Sequence, residues 1–232
     1  MISRRRVLAG LWAAGLAGAA CGLLPRAMLT LYTFGDSILD CGQYNAAGIT
    51  PAQLLVRNDD ARFPEFRGQD LSTRGPARLE HRARDGATVA ALPGQAQGLQ
   101  VTQPALALLT IGGNDLLAGL VTDAGPGIAA FQARLRAFLD GLSIRPVLIG
   151  NVYDPTFGDD RANFLGVQPA LARTNHARLN AVLAEAGQRY GALVDLHAHF
   201  LRGDPSWFVH AIEPSLVGAS EVRQAFLPFV MA

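Results

Sequence analysis

At 232 residues, half of them hydrophobic, the chain is long enough for one well-filled domain or two very small ones. Its formal charge of +1 leaves no basic footprint for nucleic acid and no acidic tail. Every basic residue other than histidine is an arginine, a compositional bias that does not mark a phosphate site.

No repeat period and no low-complexity linker divides the chain, which predicts a single domain over 29–232. Cys21 and Cys41 do not make a disulfide framework, and no zinc-type cysteine spacing is present.

Residues 1–28 read separately. Ser3-Arg-Arg-Arg-Val-Leu8 is followed by an apolar stretch from Val7 to Leu24, with small residues at Ala17-Gly-Ala19. A basic start, an apolar middle and small residues fit a secretory signal peptide, and the paired arginines resemble a twin-arginine export signal. Export to the periplasm or beyond is the expectation. The alternative is translation from Met28, with the preceding residues a mis-assigned extension and the protein cytoplasmic. A permanent membrane span is not expected, because the apolar run is barely long enough and rich in glycine.

From Leu29 the chain reads as alternating strands and helices. Leu29–Asp40 is an apolar run that breaks at Gly35-Asp36-Ser37. Strands are predicted at Ala77–Arg82, Ala105–Ile111, Pro146–Val152 and Ala192–Leu196, the second of these a continuous apolar run suited to a strand covered on both faces. Helices are predicted at Ile128–Leu142, Pro169–Tyr190 and about Val217–Phe226 from apolar residues three and four apart. The alternation argues for an α/β fold, a parallel sheet of about five strands between helical layers.

Ligands in such sheets bind beyond the carboxyl ends of the strands. Ser37 follows the first strand, Gly86 the second, Gly112-Gly-Asn114-Asp115 the third and His197-Ala-His199 the fifth. A serine needs an adjacent base to act as a nucleophile, and acyl transfer needs donors for the developing oxyanion. The backbone N–H at Ser37 or its neighbour, the N–H of Gly86 and the Asn114 amide are candidates. Asp36 and Asp40 are read as caps and braces of the turn. Cys41 is read as a small core residue, 58–62 as a solvated charged loop, and Trp207 with Phe208 as an acyl wall or as packing beneath the last loop.

These blocks resemble the SGNH (GDSL-type) hydrolase family. Gly35-Asp-Ser37-Ile-Leu looks like its first block, Arg84-Asp-Gly86-Ala-Thr-Val its second, and Gly112-Gly-Asn114-Asp115 its third. Val152-Tyr-Asp-Pro155 is similar to the segment after its fourth strand. The resemblance implies a flavodoxin-like three-layer α/β/α fold and hydrolysis of esters, thioesters or acetylated sugars through an acyl-serine. It implies no cofactor and a small-molecule ester as partner.

The last block departs from the family pattern of Asp-x-x-His-Pro. The best match is His210-Ala-Ile-Glu213-Pro214, with Glu213 where the histidine is expected and His210 where the aspartate is expected. One reading exchanges the positions, with His210 taking the serine proton and Glu213 orienting it. A carboxylate base at Glu213 would require burial to raise its pKa. If the fifth strand continues, His197 and His199 share a face, so either is a further candidate base, or the two form half of a metal site. The altered block also fits a member that binds carbohydrate or lipid without hydrolysis.

Overall fold

The computed structural model describes residues 27–232; the reading of 1–28 as an export signal or extension falls outside these, apart from its last two positions. Five parallel strands form the central sheet: β1 (Leu29–Gly35), β2 (Ala77–His81), β3 (Ala105–Thr110), β4 (Val147–Gly150) and β5 (Gly191–Val194). Their order is β2-β1-β3-β4-β5, the flavodoxin-like winding. The winding reverses at β1, so a crevice opens between the ends of β1 and β3. Gly35 pairs with Thr110 at that point.

Among the described residues the α-helices, in chain order, are α1 (Pro51–Val56), α2 (Leu92–Gln95), α3 (Gly113–Leu117), α4 (Pro126–Gly141), α5 (Pro169–Tyr190), α6 (Leu196–Phe200) and α7 (Leu216–Val230). Strand periodicity sorts the core into two layers. Ala107 and Leu109 of β3 face the cluster built with Phe131, Leu135, Leu179 and Leu183 of α4 and α5. Leu106 and Leu108 face the cluster of Leu55, Phe200, Val222 and Phe226 from α1, α6 and α7.

Local chemistry sets the helix starts. The Asp123 carboxylate accepts from the N–H groups of Gly125, Gly127 and Ile128 at the head of α4, and Ser215 caps α7 by accepting from Gly218. Helix α1 lies in a stretch with no predicted element. It carries a capping box, Thr50 with Gln53, and a proline at its first position, a sequence signal that could have located it.

Two expectations are corrected. The chain does not continue as a strand after β5: the Asp195 side chain accepts from Ala198 and starts α6, so His197 and His199 no longer share a face. Nor is 58–62 wholly solvated. Asn58 is buried, and its side chain holds Asp60, the Phe63 carbonyl and Arg223 of α7. Arg223 is itself fully buried, its guanidinium 3.4 Å from the Phe66 ring centroid and 5.0 Å from that of Phe63. Among the described residues no helix is long and apolar enough to cross a membrane.

Candidate active site

Ser37 sits one turn beyond β1 and is 8% exposed. Two buried side chains hold the turn. Gln95 of α2 grips the Gly35 peptide on both sides, accepting from its N–H and donating to its carbonyl, each at 2.7 Å. Asp36 accepts from the Thr110 hydroxyl at 2.8 Å and the Ile38 N–H at 3.2 Å. Asp40 braces the neighbouring loop: one carboxylate oxygen meets His81 Nε2 at 3.0 Å and the other accepts from the Asp85 N–H at 3.0 Å.

That loop carries Gly86, exposed, with φ +72° and open space where a side chain would stand. Neither its N–H nor that of Ser37 has a protein acceptor among the described residues. At the end of β3, α3 presents Asn114. Its amide donates one hydrogen to the Ala87 carbonyl at 3.1 Å, which ties Asn114 to the Gly86 turn and leaves its second N–H unused. Asp115 accepts from the Val89 N–H at 3.0 Å and pins the far end of that loop.

The last block forms a hairpin, β6 (Phe208–Val209) against β7 (Glu213–Pro214). Its tip residues His210 and Ala211 take left-handed backbone angles, φ +48° and +69°. Such angles are costly without glycine and cluster at functional sites. The buried Tyr153 donates its hydroxyl to the Ile212 carbonyl at 2.6 Å, holding the hairpin down. The structure brings Glu213, not His210, against Ser37: the serine hydroxyl lies close enough to the Glu213 carboxyl to hold its pKa down. Oxygen Oε2 of Glu213 is buried without a partner. His210 is exposed, its ring 5.8 Å from that of Tyr44.

The other sequence candidates lie elsewhere. His199 pairs with Glu221 at 2.8 Å and stacks on Trp207. His197 packs edge-on to His176 at 4.9 Å. Trp207 and Phe208 pack on Phe200 beneath the hairpin, so of their two readings the structure shows packing. Cys41 is fully buried, and burial pushes its thiol up to about 12. Among the described residues no three His, Cys, Asp or Glu side chains are placed to hold a metal ion.

A cavity of about 150 Å³ opens beside Ser37, walled by Asn114 and by Ile38, Val121, Val152 and Phe164. Carboxylates gather around Ser37, and burial works against their ionisation. It lifts Asp36 to about 7, against the Thr110 and Ile38 hydrogen bonds, with Glu213 and Asp115 adding repulsion. It also raises Glu213, opposed by the Ser37 hydroxyl beside it. Sequence reasoning gave no role to Gln95 or Tyr153. A glutamine in a four-residue helix carries no local signal, and Tyr153 lay inside a quoted block.

A flavodoxin-wound sheet with a Gly-Asp-Ser turn after β1 and a Gly-x-Asn-Asp turn after β3 is the architecture of the SGNH hydrolases. The chain belongs to the GDSL-like lipase/acylhydrolase family, whose model matches residues 33–216. No curated protein matches it. An acetylxylan esterase from Geobacillus stearothermophilus, Axe2, superposes with a TM-score of 0.62 at 19% identity, covering 87% of this chain and 93% of its own. The lipase Lip_vut3 from a goat rumen metagenome gives 0.61 at 16% identity, with coverage of 85% and 95%. A lipolytic G-D-S-L protein from Veillonella parvula gives 0.58 at 17% identity, with coverage of 86% and 97%. At these identities the likeness is one of fold.

Proposed function

We propose that the protein hydrolyses carboxylic esters through an acyl-Ser37 intermediate. The observation that carries this reading is the joint placement of Ser37 and the Asn114 amide on one cavity, with the Gly86 turn fastened to Asn114 through Ala87. The Ser37 oxygen attacks the ester carbonyl. The carbonyl oxygen, now negative, is met by the Asn114 amide and by the unengaged backbone N–H groups of Ser37 and Gly86. The hairpin carrying His210 and Glu213 receives the serine proton.

An active-site-directed fluorophosphonate tests this. It is expected to label the wild type at Ser37 and to leave Ser37→Ala unlabelled. Folded wild-type protein that takes no label would instead support the non-hydrolytic binding role that the altered last block also allows.

The cavity favours an alkyl chain over a sugar. Its polar rim residues are already engaged: Asp154 with Thr156 and Gly158, Asp160 with Arg173, Asn163 with Val167 and Leu165. Sugar hydroxyls would find few free partners there, and a polar substrate gains discrimination only from groups built to bond it. An acyl chain would meet Ile38, Val121, Val152 and Phe164. Across p-nitrophenyl esters from acetyl to hexanoyl, kcat/KM should rise by roughly fourfold per methylene, as about 0.8 kcal/mol per buried CH₂ requires. A maximum at acetyl would exclude this substrate class.

A further inference from the structure

We propose that the base serving Ser37 is the carboxylate of Glu213, acting without an imidazole between them. This rests on the ester-hydrolase reading and names the group that reading leaves open.

All five histidines of the chain lie among the described residues, so the imidazoles can be taken one by one. His81 is held between Asp40 and the Thr33 hydroxyl, at 3.0 and 2.8 Å. His176 is held through Nε2 by the Val152 carbonyl at 2.8 Å, with Asn180 alongside. His197 has its Nδ1 buried without a partner and its ring against His176. His199 is bound to Glu221. His210 points its ring to Tyr44 from the hairpin tip. None of them is hydrogen-bonded to Ser37, whereas the Glu213 carboxyl lies beside the serine hydroxyl and is stabilised by it.

The unpaired Oε2 is the second observation. A buried carboxylate oxygen with no protein partner is costly to keep ionised. Here it leaves Glu213 with an oxygen free to accept a proton. The hairpin that delivers the carboxylate is fixed by the Tyr153–Ile212 hydrogen bond, so its position is imposed by the fold.

The steps balance. As the Ser37 oxygen bonds to the acyl carbon, its proton passes to Glu213, and the carbonyl electron pair moves onto oxygen. When the tetrahedral intermediate collapses, the ester C–O bond breaks and the departing alkoxide takes the proton back. In the second half, water gives a proton to Glu213 and its oxygen bonds to the acyl carbon. The bond to Ser37 then breaks, and the serine recovers the proton.

The groups facing Glu213 set when it can act. Asp36 and Asp85 repel its charge, His210 when protonated favours it, and Tyr44, Tyr153 and Cys41 surround it in neutral form. Burial raises its titration above the ordinary carboxylate range, and base function requires the ionised form. Activity should therefore rise with pH through an acid-side titration that Glu213 shares with its neighbour Asp36.

The test is p-nitrophenyl ester turnover across pH for the wild type, Ser37→Ala, Glu213→Gln, Glu213→His and His210→Ala, with each variant's fold checked by thermal melting. Glu213→Gln should fall at least about a hundredfold, the lower bound for a lost general base. Glu213→His should recover part of the rate and move the inflexion toward the imidazole range near 6.5. His210→Ala should stay within about tenfold of wild type, with its inflexion shifted upward because a favourable charge is gone. The proposal is overturned if Glu213→Gln keeps the wild-type rate or inflexion, or if His210→Ala is as damaged as Glu213→Gln. Ester turnover that survives in Ser37→Ala, or is absent from the wild type, overturns the hydrolase reading itself.

Discussion

Gly35→Ala is expected to leave no folded protein at room temperature. The glycine pairs with Thr110 where β1 lies alongside β3, with φ +119°, and a Cβ there would stand 1.6 Å from the Thr110 carbonyl oxygen. The Thr110 backbone nitrogen and carbon would lie at 3.0 and 2.7 Å. No rotamer relieves a clash with backbone, so the two central strands would have to part. Parting them breaks the paired register and the grip of Gln95 on the Gly35 peptide. The combined loss of strand pairing, a buried bidentate contact and a strained φ is on the order of the whole stability of a domain, about 5–15 kcal/mol. Circular dichroism and a urea titration measure it. A soluble variant melting within a few degrees of wild type would show that the crossing is not tight.

Asn114→Ala should lower kcat by about a hundredfold to a thousandfold while changing KM little. The amide has two hydrogens, and the bond to Ala87 aims the group rather than consuming it. Charge appears on the substrate oxygen only as Ser37 attacks, so the lost interaction belongs to the transition state and not to ground-state binding. Asn114→Asp should be worse, because it exchanges the donor for a negative charge in the cavity that Asp36 also lines. Steady-state kinetics on a medium-chain p-nitrophenyl ester decides the matter. A kcat within threefold of wild type for Asn114→Ala would remove the residue from the oxyanion site.

The parts of this molecule legible from sequence are those where burial writes a strong pattern. Strand β3 is covered on both faces, so Ala105–Leu109 is a pure apolar run, and the Gly-Gly-Asn-Asp shortly after it marks the strand's end. The long helices α4 and α5 show their apolar stripes for the same reason. Short elements fail this test. In α6 five residues cannot display a helical period, and Asp195 alone signals the turn into helix. The hairpin of β6 and β7 has two-residue strands, and its left-handed tip is built from His210 and Ala211, without the Gly or Asn that such a turn favours. That is why the exchanged order of His210 and Glu213 could be read from the sequence, but not which of them faces Ser37.

The hydrogen bond from Tyr153 to Ile212 has a kinetic corollary. Tyr153 is both a wall of the cavity and the anchor of the hairpin, its ring stacked on Phe200. If the proposed acyl chain lies against that ring, it would stiffen the same lever that holds Glu213 at the serine. Part of the chain's binding energy is thereby converted into alignment of the reacting groups, so longer acyl groups should raise the turnover number and not only tighten binding.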